Sequence, residues 1–267
     1  MSQVRRRRGL TLPEVLVALG IVVVALLFIV PAVHRVREAN LHQACSRNLR
    51  DLMLAMANDE MIGTSSKRAD RLLPIGCMGA GTVAEERLSW MVALLPYLDH
   101  EQLYKEFDTA KGFQDNLQTA QTQINQFQCG KSYLRQGDAI THYVAMAGIG
   151  VDAAERPAGA KDNGFIGYDR RTTWSMIKDG ASNTIALVET RSNLGPWAQG
   201  GTSNLRGFDP TDLPVYGDQR PFGGHDRGFK VAMADGSVRN LNSDIDPKRL
   251  RAAITIAGGE LLSLESY

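Results

Sequence analysis

Residues Val15–Val33 form an unbroken apolar run of nineteen residues without a charged side chain. As an α-helix rising ~1.5 Å per residue the run is about 28 Å long, close to the ~30 Å hydrocarbon thickness of a bilayer. It lacks the polar stripe, repeating every ~3.6 residues, of a helix that keeps one face in water. The pattern predicts a membrane-spanning helix. Past it, residues 35–61 contain neither Gly nor Pro, and Leu41, Cys45, Leu49, Leu52 and Met56 recur at spacings of three and four. That spacing predicts an amphipathic continuation, with Asn40, Asn48, Arg50 and Asp51 on its other faces. The first elements are then one long helix over residues 10–61, membrane half followed by amphipathic half, with a separate domain over residues 62–267.

Within that domain, Leu88, Met91, Val92 and Leu95 predict a helix stopped by Pro96. Residues 97–107 predict a second, with Leu98, Leu103 and Tyr104 inward, and residues 116–128 a polar third. Residues 142–147 and 182–190 have strand composition, with a helical turn over 172–178 between them. The Gly- and Pro-rich stretch 195–224, which holds Trp197, reads as an irregular surface excursion. Phe229, Val231 and Met233 then alternate up to Asp235-Gly236, the dipeptide of a two-residue type I′ hairpin that would face Met233 with Val238. Asp246 is placed to cap a helix beginning at Pro247, with Leu250, Ala253, Ile254 and Ala257 on one face and Gly258 at its end.

Charge and motif sharpen the reading of the N-terminus. Arg5, Arg6, Arg7 and Arg8 precede the apolar run and only Arg35 and Arg37 follow it closely, which favours a cytoplasmic N-terminus and an extracytoplasmic domain. Glu14 sits near the start of the run, where a carboxylate is costly unless paired. The order of a basic leader, Gly9, Leu10, Thr11, Leu12, Pro13 and Glu14 resembles the type IV prepilin leader. Pro13 replaces the usual Ile or Val there, at a first-turn position that tolerates proline. The resemblance implies cleavage after Gly9 by a prepilin peptidase and N-methylation of Leu10. It further implies that Glu14 pairs with the N-terminal amine of a neighbouring subunit. A secretory signal would have a shorter apolar core, ~7–15 residues, and a plain signal anchor would carry Glu14 without use for it.

Longer phrases also carry a resemblance. VPAVHRVREAN, CSRNLRDLMLAM, SWMVALLPYLDHEQLY, THYVAMAG, DGASNTIALVE, GGHDRGFKVAMADGSVRNLNSDID and AGGE occur in this order. Together they resemble the bacterial family called domain of unknown function 1559. Departures fall at Cys129-Gly130, where the family commonly has Cys-Pro, and at His225-Asp226, where it has Pro after His. The fold implied is α+β and pilin-like: a long N-terminal helix packed on an outer domain with an antiparallel β-sheet.

The formal charge is +1, and loss of the four leader arginines would make it −3, so no basic face points to nucleic acid. There is no G-x-S-x-G, H-E-x-x-H, phosphate loop or dinucleotide fingerprint, and neither an enzyme nor a bound cofactor is expected. Asp179, Ser182, Asn183 and Glu189 offer oxygens to calcium, but at no EF-hand spacing, and a turn explains Asp179 to Asn183 as well. His225, Asp226 and Asp235 would gather at a hairpin mouth, where turn chemistry again suffices. Cys45, Cys77 and Cys129 form no C-x-x-C pair, and no His stands at local zinc-ligand spacing. Outside the cytoplasm the three cysteines admit any one of three disulfides, or remain buried thiols. Two function classes remain. One is a pilin or pseudopilin of a type II secretion or pilus-like machine in the bacterial inner membrane, partnered by prepilin peptidase and other pilin-like subunits. The other is a single-span anchored binding domain.

Overall fold

The computed structural model describes residues 12–58, 71–130, 138–217, 219–225 and 228–259. Gly9, Leu10 and Asp226 lie outside the described residues, as does the side chain of Glu14. Helix α1 (Leu12–Met56) is continuous through Pro31. The chain divides into two units, residues Met1–Gln43 and Ala44–Tyr267.

In the first unit Val15–Val33 has a mean hydropathy of 3.1, with 0% of it buried. This is a helix long and apolar enough to cross a membrane. In the second unit the end of α1 turns Cys45, Leu49, Leu52, Met53 and Met56 inward, all buried. The expected stripe therefore holds from Cys45 onward, while Leu41, expected at its start, is only half-buried. Asn48, placed off that stripe from sequence, is half-buried, and its Nδ2 donates to Gln128 O at 2.9 Å and to Asn125 O at 3.3 Å.

A two-stranded ribbon, β1 (Cys77–Met78) with β2 (Leu88–Ser89), leads into α2 (Trp90–Leu94). Ser89 caps α2, its hydroxyl accepting from Met91 N. Pro96 ends α2 as expected, and a 3-10 turn over Leu95–Leu98 follows. Asp99, in the left-handed region at φ 64°, breaks the next helix off, so that α3 spans only Glu101–Glu106. The predicted 116–128 helix is broken as well: α4 is Leu117–Ala120, with 3-10 turns on either side.

The centre is a five-stranded sheet of β3 (Tyr143–Ile149), β4 (Ile185–Glu189), β5 (Leu205–Phe208), β6 (Gly228–Met233) and β7 (Val238–Asn242), in the order β5-β3-β4-β6-β7. The sheet is mixed, not antiparallel throughout, because β5 runs parallel to β3. The 190–204 connection carries the chain from β4 past β3 to the sheet's far edge. Along β3 the period of two sends Tyr143, Ala145 and Ala147 into one apolar cluster with Leu49, Leu52 and Trp90. Val144 and Met146 go to the other, with Phe229 and Leu250. The sheet is thus covered on both faces, by α1 and its neighbours on one and by α5 (Pro247–Ile254) on the other.

Two expected details change at the C-terminal end. Ala232, not Met233, faces Val238. Gly236 N donates to Met233 O and Ser237 accepts from Met233 N, with Gly236 at φ 87°. This is a three-residue loop in which the left-handed glycine closes a bulge, in place of a two-residue turn. Helix α5 starts as expected, with Asp246 accepting from Lys248 N at 2.9 Å, but it stops at Ile254 and leaves Ala257 exposed. Thr255 is extended and buried, which ends the helix one turn early.

Candidate functional site

Four side chains from distant parts of the second unit meet beneath the sheet. Cys45 belongs to the buried stripe of α1. Cys129 follows the 3-10 turn at Asn125–Phe127, and Asn48, nearly one turn beyond Cys45, bonds the carbonyls of that turn and of Gln128. Glu189 is the last residue of β4 and pairs with Tyr143 of β3. It lies two residues beyond Leu187, and so on the same sheet face. His225 precedes β6, its backbone bonded in both directions to Gly228.

Cys45 Sγ and Cys129 Sγ are 2.7 Å apart. Cys129 Sγ is 4.0 Å from His225 Nε2, and His225 Nε2 is 3.2 Å from Glu189 Oε2. The four residues are buried, and one ligand atom from each lies within 4.8 Å of every other. Outside this ring, Lys230 N donates to Glu189 Oε2 at 3.4 Å, and the Tyr216 hydroxyl donates to the His225 carbonyl. Glu189 is fully buried, yet its Oε1 has no hydrogen-bond partner among the described residues. Gly224 makes room for that carboxylate: a Cβ at Gly224 would stand 2.2 Å from Glu189 Cδ.

The electrostatics follow from this crowding. Burial pushes the Glu189 carboxyl up, but its bonds to His225 and Cys129 outweigh that and hold it below its ordinary value. Burial pulls His225 down, while Cys45 and Glu189 together raise it to about 9. The thiol pair behaves as one unit: Cys129 is pushed up and holds its proton, which it shares with the Cys45 sulfur, so that Cys45 is the more acidic of the two. Chemically, the ring offers two sulfurs, an imidazole nitrogen and a carboxylate oxygen to one thiophilic cation, or two sulfurs to one disulfide.

The residues singled out from sequence are partly redistributed. Cys77 lies apart, beside Gly200, and burial raises its thiol to about 12. Asp179 and Asn183 do not join Glu189, which stands at the opposite end of β4. Asp179 instead accepts from Gly258 N at 2.7 Å and Gly259 N at 3.0 Å, and Asn183 Nδ2 donates to Asp179 O at 3.0 Å. The suspected calcium oxygens thus clamp a turn. We expect Asp179→Ala to lower stability by about 1–2 kcal/mol in a urea titration, and millimolar calcium to leave the wild-type melting temperature where it is. Asp235 is likewise a turn residue, its Oδ1 accepting from Ser237 N at 2.8 Å. It is separated from His225 by the length of β6, about 20 Å at ~3.3 Å per residue.

Sequence reasoning offered Cys45 and Cys129 as one of three possible cysteine pairs, named Glu189 and His225 separately, and did not join the four. Their spacings are long, and no local motif contains any two. A second feature of the unit is an open groove of about 450 Å³, lined by Leu73, Pro74, Met78, Pro96, Tyr97 and Tyr104, with Arg171 beside them.

Residues 34–208, more than half of the chain, match the model of a family described as "Protein of unknown function (DUF1559)". The match takes in Cys45, Cys129 and Glu189. No curated protein matches the chain, and no solved structure does. The phrases of the spine, the β3 strand and the Asp179 to Glu189 segment therefore place this chain in a known group: it belongs to the DUF1559 family.

Proposed function

We propose that the protein is a pilin-like structural subunit of a type II secretion or pilus-like assembly, processed by a prepilin peptidase and held in the bacterial inner membrane with its second unit outside the cytoplasm. The observation that carries this reading is the Val15–Val33 segment of α1, apolar throughout and covered by nothing among the described residues. A surface of that kind is stable only in lipid or against other apolar helices. Glu14 stands one residue before this segment, in the first turn of α1. A carboxylate there gains most when a neighbouring subunit supplies a cation, because assembly then exchanges an ill-matched charge in lipid for a pair inside protein.

The expected processing is cleavage between Gly9 and Leu10, with methylation of Leu10. Intact-mass measurement of the membrane-extracted protein tests it, and a mature chain that still begins at Met1 or Ser2 would remove the basis for the reading. We further expect Glu14→Ala to insert and be cleaved normally while losing most self-association, read as cross-linking between cysteines introduced in neighbouring membrane helices. Undiminished cross-linking would favour the anchored binding domain. That alternative draws on the groove lined by Tyr97 and Tyr104, a concave and largely apolar place for a small ligand.

A further inference from the structure

We propose that Cys45, Cys129, Glu189 and His225 form a four-ligand zinc site that fastens the end of α1 to the central sheet. The donor set is two sulfurs, one imidazole nitrogen and one carboxylate oxygen, the types that bind Zn²⁺ in closed tetrahedral sites. All four side chains are buried, as a structural site requires and a solvent-open catalytic site does not. The edges of a zinc tetrahedron with ~2.0 Å bonds to nitrogen and oxygen and ~2.3 Å bonds to sulfur are about 3.3–3.8 Å. The observed 3.2 Å between His225 Nε2 and Glu189 Oε2 and 4.0 Å between Cys129 Sγ and His225 Nε2 bracket that range. The two sulfurs, 2.7 Å apart, must open by about 1 Å, a change within reach of a χ1 adjustment.

A disulfide between Cys45 and Cys129 would account for the sulfurs alone. It would leave a fully buried carboxylate beside a buried imidazole at the same spot, with Glu189 Oε1 unbonded among the described residues. Burying such a pair costs free energy unless its remaining lone pairs are used. A cation uses all four groups at once. Two thiolates, a carboxylate and a neutral imidazole around Zn²⁺ leave a net charge of −1, with the protons that the thiol pair and the imidazole held released to water. The surroundings are built for fixed ligands. Asn48 holds the Gln128 carbonyl next to Cys129, Lys230 N donates to the Glu189 carboxylate, the Tyr216 hydroxyl fixes the His225 backbone, and glycine at 224 leaves space for the carboxylate.

The test uses the full-length protein, purified in detergent without chelator. Metal analysis is expected to return about one zinc per chain in the wild type and in Cys77→Ser, whose sulfur lies elsewhere, and to lose most of it in Cys129→Ser and His225→Ala. Because those variants could misfold, wild-type protein stripped of metal is also titrated with Co²⁺. The expected spectrum has the strong visible bands of a tetrahedral site together with thiolate-to-cobalt charge transfer. Wild-type protein that carries no zinc and gives no such spectrum would overturn the proposal. So would peptide mapping that recovers Cys45 joined to Cys129 as a disulfide in the untreated protein, or zinc retained in full by well-folded Cys129→Ser.

Discussion

Arg170→Met is expected to remove about 3–5 kcal/mol of stability, read as a shift of the urea unfolding midpoint at unchanged slope. Arg170 is 4% exposed, and no carboxylate pairs with it among the described residues. Its guanidinium is instead caged by oxygen dipoles. Nη1 donates to Ala153 O at 3.0 Å, Arg156 O at 3.2 Å and Asn163 Oδ1 at 3.0 Å. Nη2 donates to Ala147 O at 2.7 Å, Ile166 O at 2.6 Å and Gly164 O at 3.4 Å. Burial lowers the Arg170 pKa to about 10, which still leaves it charged at neutral pH. Methionine would fill part of the volume and strand several buried carbonyls, each costing about 1–3 kcal/mol less whatever water can recover. Arg170→Lys should restore only a fraction, since an ammonium has three donors at a point and cannot reproduce the fork. A loss below about 1 kcal/mol in Arg170→Met would mean that the cage is not what holds residues 147–170 together.

Trp197→Ala should cost a similar amount, about 3–5 kcal/mol, from the cavity it leaves. Trp197 is fully buried, with its ring 5.1 Å from Phe127 and 5.8 Å from Phe107, and its Nε1 donates to Thr122 O at 2.8 Å. It therefore joins the segment after β4 to the helices around residues 101–127. Trp197→Phe keeps most of the apolar contact and loses the bond, so about 1–2 kcal/mol is expected. Near-equal losses for the two variants would assign the effect to the hydrogen bond instead of the packing.

Trp197 also shows where the sequence was misleading. The 195–224 stretch has the Gly and Pro content of a surface loop, and periodicity offers nothing against that reading. Yet it contains β5, four residues long, and the buried indole. A short strand at a sheet edge is defined by its neighbour β3, so the information lies in a pairing and not in the segment. The hairpin differed by one residue for a similar reason: Asp-Gly serves a type I′ turn and a bulged three-residue loop equally well, and the pairing of β6 with β7 decides. What is local was legible. The apolar run, the stripe through Cys45, Leu49 and Leu52, the Asp246 cap and strands β3, β4 and β6 follow from spacing within a few residues. The cluster of Cys45, Cys129, Glu189 and His225 was not legible as a cluster: two of its members were one possible cysteine pair among three and the others stood apart, because its order arises from the crossing of α1 with one end of the sheet.

The two borders of the sheet bear on how copies of this protein can meet. β5, at one border, offers only Leu205–Phe208 to a newcomer. β7, at the other, alternates an inward Leu241 with Asn240 and Asn242, both turned to water, and carries Arg239 beside them. Neither border is a long, flat, apolar template, and polar edge residues of this kind discourage the strand-to-strand annealing by which sheet proteins precipitate or grow fibres. Copies of this domain can therefore touch without fusing through their backbones.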